Sequence, residues 1–336
     1  MLKIRLIDST CRDGSHAIRH QFTKQNICDY AKRTEKAGID TLICGHGNGL
    51  SCSTYQVGFS LLSDKQMLET ARKELRKTKL GAFMIPGFAT IKQDLQPAID
   101  IGIQVIMVAC HITESNITHQ HIEYAKSKGL EAIGVLMMAH TVDKFKLLEQ
   151  AQLMQSYGAD GVLIMDSAGA ILPGEAISKV SYLSSCLDIP LGFHAHNNLG
   201  MAVATSLSAV KAGAKFLDCT SRGLGAGAGN CPLEVMVAVL HKLGYETGLD
   251  LYKLMDNSDL IKKIMDEHHH IQEISMTSLA SGLAGIFSGF KDHVLRAAKE
   301  YKVDPRDIFF RLGELKAVAG QEDLIVTVAK ELSEHK

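Results

Sequence analysis

Short apolar runs of strand length alternate with longer amphipathic stretches through about the first 245 residues, and this alternation restricts the fold more than any other property of the chain. The runs fall at 4–8, 41–45, 80–85, 105–109, 132–138, 161–165, 191–195 and 216–220. Helical patterns follow at 23–37, 63–76, 119–128, 142–157, 175–185, 201–212 and 232–243. Local signals support several boundaries. Ser63 and Gln66 have capping-box spacing, Pro232 suits a first helical turn, and Gly129 follows a Lys-rich helix end. Ala37-Gly38 and Ala212-Gly213 mark helix exits before strands. Eight such units in about 245 residues predict an α/β chain folded as a (β/α)₈ TIM barrel, with a doubly wound open sheet as the rival. In either fold, ligands gather at the carboxyl ends of the strands.

From Tyr245 onward the pattern is purely helical, at 251–265, 278–301, 305–312 and 321–332. The predicted organisation is a catalytic barrel over 1–245 and a small all-helical C-terminal extension over 246–336 that caps the barrel or carries an interface. His268-His269-His270 lies between helical patterns and reads as a solvated turn.

The chain carries 36 basic against 37 acidic residues, a net charge of -1, so no strong field gathers nucleic acid or an anionic membrane. Small-molecule chemistry is the better expectation. The eight cysteines are scattered with no Cys-x-x-Cys pair, and no apolar run approaches the ~20 residues that span a bilayer. A reducing cytoplasm is expected.

Two residues stand out at the end of the seventh run. His194 and His196 are two apart, and side chains at that spacing on a strand share one face. Asp13, at the equivalent end of the first run, offers a carboxylate, and two imidazoles with one carboxylate leave coordination positions of a divalent ion open for substrate. Arg12 is either a planar donor for an oxyanion or the structural partner of Asp13. His16 has the residue type of a general base and also that of an ordinary loop histidine. His46, His111 and His140 also fall near strand ends and read as hydrogen-bonded pocket wall. The glycine-rich stretch from Arg222 to Asn230 follows the last run, where its amides could meet an anion. Asn230 is a candidate fourth oxygen ligand or a donor to the site.

These pieces resemble the metal-dependent barrels that include hydroxymethylglutaryl-CoA lyases, acyl-CoA synthases and pyruvate aldolases. The motifs that carry the resemblance are Asp8-Ser9-Thr10-Cys11-Arg12-Asp13-Gly14, His194-Ala195-His196-Asn197-Asn198-Leu199-Gly200 and the loop Gly223 to Asn230. Arg12 to Gln21, with Gln120 to Ala125, Asp166-Ser167 and Gly320 to Asp323, is similar to the 4-hydroxy-2-oxovalerate aldolase branch. The synthases and lyases usually carry Gln where His16 stands. The resemblance implies that Asp13, His194 and His196 hold a divalent ion, most often Mn²⁺, with Mg²⁺ or Co²⁺ as alternatives. It further implies that Arg12 contacts the oxo acid and its enolate, that His16 is the base, and that Ser167 and His194 touch substrate. A C-terminal region docking an acylating acetaldehyde dehydrogenase, and a place in aromatic hydrocarbon catabolism, are implied on the same ground.

Three departures from the branch stand out. Phe287 occupies the place of a pocket tyrosine and lacks its hydroxyl. Around Ile43 a glutamate is absent, and Asn48 stands where an aspartate is usual. These departures predict an altered aldehyde preference. The competing readings are a Claisen-type acyl-CoA synthase or lyase, a noncatalytic scaffold for a dehydrogenase, and a nonhaem iron oxygenase.

Overall fold

A computed structural model describes residues 2–334. Its strands are β1 (Arg5–Asp8), β2 (Thr41–Ile43), β3 (Lys79–Met84), β4 (Val105–His111), β5 (Glu131–Met137), β6 (Gly161–Asp166), β7 (Leu191–Ala195) and β8 (Phe216–Cys219). All eight predicted runs are strands. They pair in parallel and in sequence order, and β8 returns to pair with β1, which closes the barrel and excludes the open sheet.

The outer helices are α1 (Lys24–Ala37), α2 (Asp64–Glu74), α3 (Gln96–Ile101), α4 (His119–Ser127), α5 (Lys144–Ser156), α6 (Pro173–Ser184), α7 (Ala202–Lys211) and α8 (Leu233–Lys242). The reason each forms is local. Ser63 caps α2 by accepting from the Gln66 amide in a reciprocal box, and Gly38, left-handed at φ 83°, ends α1. α1 buries Ile27, Tyr30, Ala31, Thr34 and Ala37, one stripe at helical spacing. The sequence pattern missed α3, a short helix entered through a wide turn at Ile91–Leu95 and carrying Pro97 at its start. Pro232 precedes the first turn of α8 instead of lying inside it.

The barrel interior is filled by Ile7, Ile43, Phe83, Val105, Met107, Ile133, Val135, Leu163, Met165 and Phe216. Each such side chain contributes about 1.5–3 kcal/mol by leaving water. A larger apolar layer lies between strands and helices.

Beyond the barrel come α9 (Leu251–Glu267), α10 (Met276–Ala284), α11 (Lys291–Tyr301), α12 (Pro305–Glu314) and α13 (Asp323–Glu334). The change to helical sequence at Tyr245 does not coincide with the change of core. Leu254, Ile261, Ile264 and Met265 of α9 join the barrel's outer layer, whereas a separate cluster begins at Ala280 and includes Ile286, Phe290, Val294, Ile308, Phe309, Leu312 and Val328. The single helix expected over 278–301 is two helices. Gly285, left-handed at φ 65°, ends α10, and the segment from Ile286 to Phe290 turns back over the barrel mouth before α11.

Candidate active site

The mouth of the barrel is built from the carboxyl ends of β1, β7 and β8. His194 lies on β7, and His196 lies just beyond it in a bridge with Asn230. Asp13 opens a short helical turn, Asp13–Ile18, after β1. The potential ligand atoms of Asp13, His194 and His196 all lie within 4.8 Å of one another, and the three residues are buried. Asp13 Oδ2 is 3.9 Å from Nε2 of each histidine, too far for hydrogen bonds.

His194 is oriented from behind. Its Nδ1 meets Asp218 Oδ2 at 2.9 Å, across the register pair that joins β7 to β8. Its Nε2 is buried without a hydrogen-bond partner. A histidine that gives one nitrogen to a carboxylate and leaves the other bare is set up for a cation. The donor set therefore fits a divalent metal on the chain's own geometry.

Asp13 is held on three sides. Oδ2 accepts from Arg12 Nη1 at 2.8 Å, while Oδ1 accepts from Asn230 Nδ2 at 2.9 Å and from the Ala226 amide at 3.3 Å. Burial alone would raise its pKa, but Arg12, His196 and His194 outweigh it and hold the carboxyl well below its usual range. Burial pushes His196 down to about 3, against the pull of Asp13, so both the carboxylate and the neutral imidazole are in the forms a metal requires. The anion met by the glycine-rich loop is thus Asp13 itself. Gly225 permits the approach: a Cβ there would collide with Asn230 Nδ2 and lie 2.7 Å from Asp13 Oδ1.

Arg12 is both structural partner and available donor. Besides Asp13, it donates to the Gly47 carbonyl at 3.2 Å, lies 3.6 Å from Asp218 Oδ2, and stacks its guanidinium 4.5 Å from the centroid of Phe83. Nε and Nη2 are buried with no hydrogen bond. Ile43 belongs to the apolar interior, so the acids that balance Arg12 are Asp13 and Asp218.

His16 sits on the same short turn, half-buried, against Gly47. A Cβ on Gly47 would overlap the imidazole. Burial lowers the His16 pKa, with Asp13 pulling the other way. His20 packs edge-on at 4.9 Å and stacks on His46 at 3.7 Å. His46 reaches the Gly58 carbonyl at 3.0 Å and accepts from the Asn48 amide, so it is hydrogen-bonded wall. His140 meets the Gly285 carbonyl at 2.9 Å, and His111 pairs with Thr113. The His268–His270 turn is not wholly solvated: it lines the cavity over His16, and His270 meets Gln272 at 3.1 Å.

The segment after α10 is fastened to the barrel at Ser167 and Asn198. The Ser288 amide and hydroxyl both donate to the Ser167 carbonyl, at 3.0 and 2.8 Å. Asn198 Nδ2 donates to Ser288 Oγ and to the Ala168 carbonyl, and its Oδ1 accepts from Ala228. Ser167 Oγ accepts from the Met138 amide at 2.9 Å. Phe287 is thereby delivered against both the barrel interior and the second cluster. Asp218 and Ser288 escaped sequence reasoning. A charged residue inside the apolar run Phe216-Leu217-Asp218-Cys219 was the available signal for the first; Ser288 had none.

Against known proteins, the HMGL-like family model matches residues 3–261, and a DmpG-like communication domain matches 272–334. A 4-hydroxy-2-oxovalerate aldolase of Pectobacterium atrosepticum is 50% identical over 331 residues, which is 98% of this chain and 96% of that protein. One from Carboxydothermus hydrogenoformans is 49% identical over 98% of both. The carboxyl transferase domain of Rhizobium etli pyruvate carboxylase superposes with a TM-score of 0.85 at 16% identity, covering 99% of this chain and 60% of that one, a likeness of fold.

Proposed function

The chain belongs to the HMGL-like family and, within it, to the 4-hydroxy-2-oxovalerate aldolases, and from this premise we propose that Arg12, Asp13, His16, His194 and His196 perform its chemistry at the barrel mouth. It is a carbon–carbon lyase that cleaves a 4-hydroxy-2-oxo acid to pyruvate and an aldehyde. The observation that carries the residue roles is the convergence of three metal-competent side chains, a guanidinium with free donors and a neutral imidazole at one end of the barrel.

Asp13, His194 and His196 would hold the divalent ion, which we take to be Mn²⁺ because the family resemblance implies it and the carboxylate oxygen suits it. When bound, the ion supplies Lewis acidity toward the 2-oxo and carboxylate oxygens of the substrate. Arg12 directs Nε and Nη2 to the oxygen on which negative charge develops, a charge-assisted contact in a buried site. His16, neutral because burial lowers its pKa, accepts the proton of the 4-hydroxyl. As that proton leaves, the C3–C4 electron pair moves into the oxo acid, C4 becomes the aldehyde carbon, and protonation at C3 yields pyruvate. Ser167 and His194 bound the oxo-acid end. Phe287 presents a ring without a hydroxyl to the same mouth, which supports an aldehyde preference distinct from that of relatives with tyrosine.

The communication-domain match supports an acylating acetaldehyde dehydrogenase as partner of the C-terminal helices. Among the described residues no helix is long and apolar enough to cross a membrane, and all eight cysteines are free, which supports a cytoplasmic location. The test is pyruvate release from racemic 4-hydroxy-2-oxopentanoate with manganese, without it and with chelator. Manganese-dependent pyruvate is expected; a manganese-loaded protein that releases none would overturn the proposal.

A further inference from the structure

Two cavities, of about 570 and 550 Å³, flank His16. They share His16, Arg19, Gly289 and Asp292. The first runs inward to Gly225 and Ala226, where the Ala226 amide touches Asp13, and Lys291 stands on its rim. The second opens past Val57 and Phe59 and carries Arg296 and Lys299. Cations therefore outnumber the acid Asp292 around both openings, and Arg19 is the cation common to both.

Arg19 is held in place by backbone geometry. It is left-handed at φ 52°, and so is the next residue, His20, at φ 61°. Consecutive left-handed residues that carry side chains are unfavourable and persist only when the surroundings over-determine them. Here the Arg19 amide donates to the His16 carbonyl at 3.1 Å and the His20 amide to the Ser15 carbonyl at 2.7 Å. Ser15 Oγ meets His20 Nδ1 at 3.0 Å, and the Leu61 amide donates to the His20 carbonyl. The guanidinium that this strained turn presents is exposed, and no described residue hydrogen-bonds or ion-pairs with it.

We propose that Arg19 is a positive charge at the rim that draws the carboxylate of the oxo acid to the mouth beside His16 and strengthens its binding there, a role that rests on the aldolase reading of the site. Arg19 lines both cavities beside His16, lacks an acidic partner among the described residues, and leaves the chain from a backbone position fixed by its left-handed geometry. A unit charge about 7 Å from an anion in water changes its local concentration about threefold, and reversing that charge changes it about tenfold. Salt screens the effect.

The experiment compares wild type with Arg19→Asn, Arg19→Glu and Arg19→Lys, Asn being chosen because it tolerates left-handed backbone. Two quantities are measured on manganese-loaded protein at low and at physiological ionic strength. One is the steady-state kinetics of 4-hydroxy-2-oxopentanoate cleavage, and the other is the Kd of pyruvate by calorimetry. At low salt, KM and Kd are expected to rise about threefold in Arg19→Asn and about tenfold in Arg19→Glu. Arg19→Lys should stay near wild type, kcat should hold within about twofold throughout, and salt should shrink the differences. Variants that match wild type in KM, Kd and salt dependence would overturn the proposal. A wild type that binds pyruvate but cleaves nothing would end the aldolase reading, while the Kd comparison would still decide the role of Arg19.

Discussion

At the corner formed by β1, β7 and β8, buried carboxylates face a buried guanidinium: Asp13 and Asp218 both lie against Arg12, with the imidazoles of His194 and His196 beside them. At the seam where the segment after α10 meets β6, the contacts are neutral. Ser288 donates to a carbonyl, Asn198 bridges a serine and two backbone groups, and Asp166 accepts from the Ala170 and Ile171 amides. The two regions share one end of the barrel and respond oppositely to burial. In the corner, compensating charge holds Asp13 ionised; at the seam, burial pushes Asp166 up to about 7 although two amides pull it down. The corner is suited to a cation, and the seam to fixing a wall.

The comparison breaks most sharply under truncation. His194→Ala should abolish specific manganese binding, and activity with it, as read by metal content after dialysis. His16→Ala should keep the metal and lower kcat by about 10²–10⁴. Equal metal loss in both variants would dissolve the division between ligand and base. At the seam, Asn198→Ala removes one acceptor and two donations, leaving the Ala228 amide and the Ala168 carbonyl unpaired in a buried setting. A loss of about 3 kcal/mol in urea unfolding is expected, with metal affinity nearly intact. A loss under ~0.5 kcal/mol would mean the seam is not held as described.

Asp218→Asn tests the corner from behind. The amide keeps the shape but removes the charge that orients Nδ1 of His194, so manganese affinity should fall about 10–100-fold by calorimetry. Unchanged affinity would show that Asp218 serves Arg12 alone.

The contrast between the regions also decides what was legible in the sequence. The strands were readable because each is a short apolar run, and His194 and His196 because a spacing of two on a strand gives one face. Asp13 followed from its place in the segment after β1, where it opens a short helical turn. The seam depends on a contact between Ser167 and Ser288, 121 residues apart, which no local period announces. The helix break had a local sign, Gly285 at a left-handed helix end, outweighed in the sequence by helical periodicity on both sides. The extent of the barrel's core was hidden because α9 has the same amphipathic pattern whether it packs on the barrel or on α10.

The most gradual effect lies in pH. Asp166 has its pKa raised to about 7 by burial, so between its ordinary range near 4 and about 7 the folded protein holds a proton that the unfolded chain has released. Stability from this group is therefore complete below about pH 4 and is lost as pH rises through 7, with a slope of at most ~1.4 kcal/mol per pH unit. Asp166→Asn cannot ionise, and its side-chain oxygen still accepts from one of the two amides, so its stability should change less between pH 5 and pH 7.5 than that of wild type. Urea unfolding at the two values measures the difference. Equal slopes would mean that the Ala170 and Ile171 amides keep Asp166 ionised as fully as Arg12 keeps Asp13, and the distinction between a charged corner and a neutral seam would fail at that residue.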